Sequence, residues 1–137
     1  SYVCGCFTTS TMPSAPVIWS KKTLKKTGDL KQKGILLINA GNANAFTGKE
    51  GLLACKAKAL SLANIFKCDE RNILFASTGV IGEKFPVEKI LNTTQYLVDK
   101  LRSEQNKLIW VKAASAVMTT DTKPKLNYEE INIGNKI

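Results

Sequence analysis

The sequence predicts an α/β layered fold of 137 residues. Three observations carry that expectation. Two short apolar runs, Ile35–Ile38 and Ile73–Ala76, each end in a polar, glycine-containing loop. Each loop is followed by a segment with apolar residues at helical spacing. Strand-like and helix-like segments therefore alternate along the chain, the order expected of helices layered on a sheet.

The elements follow in chain order. Tyr2 to Thr9 reads as a short strand with Gly5 between Cys4 and Cys6, and Ser10 to Pro16 reads as loop, broken by Pro13 and Pro16. Ser20 is placed as the cap of a short helical turn through Leu24. Lys25 to Lys33 reads as a basic loop around Gly28-Asp29. Gly34 then launches Ile35 to Asn39, a continuous apolar run of the kind buried on both faces. Asn39 to Phe46 holds three asparagines and a glycine, residues that accept positive φ and bond nearby backbone. It reads either as a binding edge or as a self-satisfied Asx turn.

Thr47 and Glu50 have capping-box spacing for a helix running to about Phe66. Leu52, Leu53, Leu60, Ala63 and Phe66 are expected on its buried face. Cys68 to Asn72 is a polar link, Ile73 to Ala76 a strand, and Ser77 to Gly82 a loop. Pro86 suits a first helical turn. Val87, Ile90, Leu91, Leu97, Val98 and Leu101 then fall at amphipathic spacing. Leu108 to Met118 reads as a small-residue helix packed close to a neighbour, ended by the polar run to Lys125 with Pro124 in it. Leu126 to Ile137 alternates weakly, as the start of a strand.

Composition narrows function. Hydrophobic residues make up 44% and charged residues 23%, which suits a single globular domain over residues 1–137. No apolar stretch approaches the ~20 residues of a membrane span, and no charged-then-apolar leader opens the sequence. The net charge is +9, from 20 basic and 11 acidic residues. That balance calls for an acidic partner or an anionic substrate. Nucleic acid is disfavoured, because the lysine clusters lack interleaved aromatics and the only arginines are Arg71 and Arg102.

Four cysteines without CxxC pairs, and no His, argue against structural zinc. Free thiols fit a reducing, cytoplasmic setting. The missing His also rules out a Ser-His-Asp triad or a Cys-His dyad built from these residues. What remains is Ser77-Thr78-Gly79-Val80-Ile81-Gly82, where a hydroxyl and an unhindered backbone N–H stand together at a strand end. The stretch reads either as a pair able to hold the oxyanion of an acyl transfer or as a plain strand-to-helix turn. No GxGxxG or GxxxxGK[ST] loop occurs.

Four segments in order resemble the ornithine acetyltransferase (ArgJ) family, specifically its N-terminal α subunit. They are Phe7-Thr8-Thr9 with Ala15-Pro16-Val17; Ile38 to Gly48; Ser77 to Gly82; and Ala113 to Lys125. The resemblance implies a DmpA/ArgJ-like fold, with sheets covered by helices and completed by a second, β chain. It implies a glutamate N-acetyltransferase of arginine biosynthesis, moving acetyl from N2-acetylornithine to glutamate. Acetyl-CoA serves some members as donor, and no cofactor is implied.

The family's precursor cuts itself before a threonine, which becomes the β-chain nucleophile with its own α-amine as base. By matched position, Thr78 and Gly79 would form the oxyanion hole, and Thr119 would bind substrate. The family's Lys-Gly-Ser-Gly stretch and Ala–Thr cleavage point lie beyond Ile137. Activity would thus require the β chain, in a heterotetramer of two α and two β chains. The competing readings are an autoprocessed N-terminal-nucleophile-like aminopeptidase and a basic, non-catalytic nucleic-acid-binding module.

Overall fold

A computed structural model describes residues 3, 5–26, 34–103, 108–127, 129–131 and 134. Its elements are α1 (Ala15–Lys26), β1 (Ile35–Asn42), α2 (Gly48–Phe66), a 3-10 turn (Glu70–Asn72), β2 (Ile73–Val80), α3 (Val87–Ser103) and α4 (Ile109–Ala116). β1 and β2 pair in parallel, with Ile35 opposite Ile73 and Asn42 opposite Val80. Parallel neighbours need a crossover, and α2 supplies it. The mixed α/β fold expected from the sequence is the one observed.

The core lies where α2 meets β2 and α1. Cys55, Ala59, Leu62 and Ala63 of α2 are buried against Ile73 and Phe75 of β2, with Ala15 and Val98 closing the cluster. Full burial of a side chain the size of Ile73 or Phe75 contributes about 1.5–3 kcal/mol. Small residues dominate the buried face of α2, so this helix packs close. The leucines expected there face outward: Leu52, Leu53 and Leu60 are exposed. Between Cys55 and Ala59 the inward stripe includes Lys58 instead. On α3, Thr94 and Val98 are buried, whereas Leu97 and Leu101 of the expected stripe are exposed.

Several local expectations are corrected. α1 is twelve residues long and Ser20 sits in its middle. Ser20 Oγ donates to the Phe75 carbonyl at 3.0 Å and accepts from the Phe75 N–H at 2.9 Å. One hydroxyl thus satisfies both backbone groups of a β2 residue, as a neighbouring strand would. Trp19 Nε1 donates to the Ile73 carbonyl beside it, at 2.9 Å.

β1 is not buried on both faces. Ile35 and Leu37 are half-buried, whereas Leu36 and Ile38 are 57% and 42% exposed. α2 carries no capping-box hydrogen bond from Thr47. Its other end is closed by Lys67 in the left-handed conformation.

Val3 and Gly5–Thr9 form no strand, and neither do the described residues from Leu126 onward. Among the described residues no third strand lies beside β1 or β2 to pair with them. Most of the basic loop read at Lys25–Lys33, the residues Tyr2 and Cys4, and half of the tail lie outside the described residues.

Candidate active site at the strand tips

β2 runs on through Ser77, Thr78, Gly79 and Val80, so the first four of the six residues read as a loop, Ser77–Gly82, are strand. The reason is pairing: Asn39, Ala40, Gly41 and Asn42 stand opposite them in register. The polar tips of two parallel strands are thereby brought side by side. Ligands of parallel sheets gather at this end of the strands.

The asparagines fix these tips. Ser77 Oγ donates to Asn39 Oδ1 at 2.6 Å, and Asn39 Nδ2 donates to the Asn42 carbonyl at 2.8 Å. Asn42 Oδ1 accepts from the Asn44 N–H at 2.8 Å. Asn44 is fully buried, with φ 47°. Its Nδ2 donates to the Gly51 carbonyl at 3.1 Å, and its Oδ1 accepts from the Thr47 hydroxyl at 2.8 Å. Its own carbonyl accepts from the Ala15 N–H at 3.1 Å. Of the two readings left open for this loop, the self-satisfied turn describes Asn44. The bonds extend well past a local Asx turn, to α1 and α2.

Gly79 pairs with Gly41, and both have positive φ, 128° and 104°. A Cβ on Gly79 would lie 2.3 Å from the Gly41 carbonyl carbon and 2.6 Å from the Asn42 nitrogen. Only glycine allows this close approach. Phe75 turns its N–H and C=O to α1, on the edge of β2 away from β1. The Val80 carbonyl accepts from Ala43, on the β1 side. Alternation along the strand therefore turns the Gly79 N–H to the edge away from β1. Among the described residues, no hydrogen bond from outside the sheet reaches it.

Thr78 is half-buried and stands opposite Ala40. It shares the sheet face that carries Leu36, Ile38 and Ala76. Its hydroxyl makes no hydrogen bond among the described residues. Thr78 thus carries its hydroxyl on the open face, and the adjacent Gly79 its N–H at the open edge.

Thr119 lies elsewhere. It follows α4, is exposed, and has no hydrogen bond to Thr78 or Gly79. Two residues on, Asp121 pairs with Lys125, which holds the carboxyl of Asp121 below its ordinary pKa. α4 buries no residue, and Trp110 is 71% exposed. The close-packed helix expected here buries none of its residues fully.

Sequence reading missed Lys58. It is 2% exposed and its Nζ lies 4.5 Å from the Phe75 ring centre and 4.2 Å from that of Phe85. Burial pushes its ammonium pKa down, partly opposed by Cys55 nearby. Burial likewise pushes the Cys55 thiol up. No sequence signal marks Lys58, because a lysine at helical spacing reads as a solvated face. The Asn39–Ser77 bond was equally invisible, since it depends on the strand register.

Clefts of about 530 Å³ and 550 Å³ flank α2, the first against Glu83–Phe85 and the second against α1. Thr78, Gly79 and Thr119 line neither. Among the described residues, no cluster of His, Cys, Asp and Glu could hold a metal ion. No described helix is long and apolar enough to cross a membrane.

Comparison with known proteins decides the family. The model of the ArgJ family matches residues 1–137. The chain belongs to the ArgJ family. It is 41% identical over 132 residues to the arginine biosynthesis bifunctional protein ArgJ of Nitrobacter winogradskyi, covering 96% of this chain and 31% of that protein. Against ArgJ of Pseudomonas fluorescens it is 46% identical over 125 residues, covering 91% and 29%.

A solved ornithine acetyltransferase from Mycobacterium tuberculosis, complexed with ornithine, superposes with a TM-score of 0.72 at 30% identity. That match covers 88% of this chain and 62% of the solved one. ArgJ of Bacillus halodurans gives 0.69 at 26% identity, covering 88% and 59%. The chain thus spans about three-tenths of the length of the curated relatives it matches.

Proposed function

We propose that this chain, read as one domain, is the α portion of an ornithine acetyltransferase of arginine biosynthesis. Its role is to supply the oxyanion hole of an acyl transfer. One arrangement carries the reading: an unbonded Thr78 hydroxyl beside a Gly79 N–H that strand alternation turns to an open edge, at a position whose close backbone contact only glycine allows. The names of its relatives support the substrate class. Their greater length supports a missing second portion.

The chemistry follows from these groups. A threonine at the start of the β portion attacks the acetyl carbon of N2-acetylornithine, and its freed α-amine takes the hydroxyl proton. The carbonyl oxygen gains charge and is held by Thr78 Oγ and Gly79 N. Collapse breaks the C–N bond, and the leaving amine of ornithine receives the proton. The glutamate amine then attacks the acyl-enzyme ester, and the threonine hydroxyl is restored. Donors placed beforehand stabilise this charge without reorganising, which is why they act on rate more than on binding.

Thr119 contributes to substrate binding once the β portion folds its segment against the site. No cofactor is needed, and acetyl-CoA enters as an alternative donor. The assembly is two α and two β chains in the cytoplasm. The uncovered face with Leu36, Ile38, Ala40 and Thr78 is consistent with a sheet that other residues complete.

The test is Thr78→Ala in the full-length protein. Loss of one such donor typically costs about 2.7–4 kcal/mol of transition-state stabilisation, a fall of about 10²–10³ in kcat. Slower precursor self-cleavage should accompany it. Acetyl transfer to glutamate at an unchanged rate would remove the oxyanion role. The intact masses of co-purified chains provide a second check, which requires a partner beginning with threonine.

A further inference from the structure

The cleft of about 550 Å³ between α1 and α2 lies apart from the strand tips and has a different chemistry. Its apolar wall is formed by Ile18 and Trp19 of α1 and Leu52 of α2. Trp19 is fixed there: its Nε1 is bonded to the Ile73 carbonyl, and its ring rests on Phe75 at 5.8 Å between centres. The indole is therefore a rigid surface, in place before any ligand arrives.

Three lysines surround this wall: Lys22 on α1, and Lys49 and Lys56 on α2. All three are exposed, and none pairs with an acid among the described residues. Arg71 also borders the cleft but is engaged by Asp69 through two charged hydrogen bonds of 2.9 and 2.8 Å. The one acid lining the cleft, Glu70, interacts with Arg71 and keeps its Oε2 buried. The lysines therefore set the sign of the potential. Lys49 and Lys56 are seven residues apart, so their backbones are about 10 Å apart along the helix. That spacing suits an extended anion better than a single compact one.

We infer that the α1–α2 cleft binds a nucleoside polyphosphate, with the planar base against Trp19 and the phosphates among Lys22, Lys49 and Lys56. The volume lies within the range of small-ligand pockets, and base–aromatic stacking with lysine–phosphate contact is a familiar pairing of forces. The inference is independent of the acetyl-transfer reading and rests on other residues.

ADP is the probe, titrated into the full-length protein by calorimetry and by tryptophan fluorescence, with adenosine and inorganic pyrophosphate as half-ligands. ADP should bind at least tenfold more tightly than either half, quench Trp19, and weaken as salt rises. The Lys22→Ala/Lys56→Ala pair, both at exposed positions, should lower ADP affinity at least tenfold and leave acetyl transfer unchanged. Trp19→Phe should abolish the quench. Pyrophosphate binding as tightly as ADP would overturn the site, because the base would then contribute nothing. So would unaltered ADP affinity in the lysine pair, or no ADP binding at ~1 mM.

Discussion

Gly79→Ala tests the geometry of the strand tips most directly, with Gly41→Ala as its control. Both glycines have positive φ, so an alanine at either is strained by about 1–3 kcal/mol. They differ in space. A Cβ at Gly41 meets nothing within 4 Å, whereas one at Gly79 falls 2.3 Å from the Gly41 carbonyl carbon and 2.6 Å from both its oxygen and the Asn42 nitrogen. All three atoms are backbone, so no side chain can swing aside. Separating the strands locally adds an overpacking cost of about 1–3 kcal/mol.

The expected losses are therefore about 1–3 kcal/mol for Gly41→Ala and about 2–6 kcal/mol for Gly79→Ala. Urea unfolding of the full-length protein, followed by circular dichroism, measures both as midpoint shifts at constant slope. Activity should divide the same way. Gly79→Ala displaces the N–H assigned to the oxyanion and should depress kcat well beyond any effect of Gly41→Ala. Equal destabilisation by the two substitutions would refute the reasoning, since only the backbone contact distinguishes them.

Three further predictions concern other buried or charged groups. Lys58→Met should stabilise the protein at pH 7 by about 1–2 kcal/mol, because it removes a buried ammonium that two ring contacts only partly offset. Since the folded-state pKa of Lys58 is lowered, the unfolded chain binds more protons between that value and about 10.4, and wild-type stability rises with pH across this window. The advantage of Lys58→Met should therefore shrink towards pH 9.5 in denaturation curves; a constant difference, or destabilisation at pH 7, would contradict it. Asp69 should titrate at about 2 by carboxyl NMR, held down by its hydrogen bonds from Arg71. Arg71→Ala should bring it back towards about 3.9, and a midpoint already there in the wild type would dismiss the pair. Asn44→Ala should cost about 2–4 kcal/mol in urea unfolding, since it removes the buried side-chain bonds to the Gly51 carbonyl and the Thr47 hydroxyl, leaving Thr47 only its bond of 3.3 Å to the carbonyl of residue 44, and places alanine at positive φ; a loss under about 0.5 kcal/mol would mean the loop re-satisfies itself.

Element order through the middle of the chain was legible because strand, helix and strand differ in period and are separated by glycine and asparagine. Faces were harder. Ile35–Ile38 reads as doubly buried, yet Leu36 and Ile38 are exposed: an apolar run records what a strand is built to meet, whether or not these residues supply it. α2 misled in the opposite sense. Ala63 is buried as read, but Leu52, Leu53 and Leu60 are not, and close packing on β2 selected Ala54, Cys55 and Ala59 in their place.

Ser20 reads as a cap because local rules know only local backbone. Its actual partner, Phe75, is 55 residues away. Ser77–Val80 reads as loop because polar residues and glycine weaken any strand signal, and only register with Asn39–Asn42 restores it. Thr78 and Gly79 drew attention through their residue types and through the family resemblance. Their placement on an open face and edge required the fold.

The burial of Asn44 has a consequence for motion. Through this one residue the start of α1, the first turns of α2 and the tip of β1 are joined, and the adjoining Ala45 carbonyl accepts from Gly82 beyond β2. Segments tied to a single buried amide cannot open one at a time without stranding it. Hydrogen exchange at Ala15, Asn44, Gly51 and Gly82 should therefore proceed with one common opening free energy, as a single cooperative unit. This loop-rich end of the molecule would then open as one piece or stay closed as one.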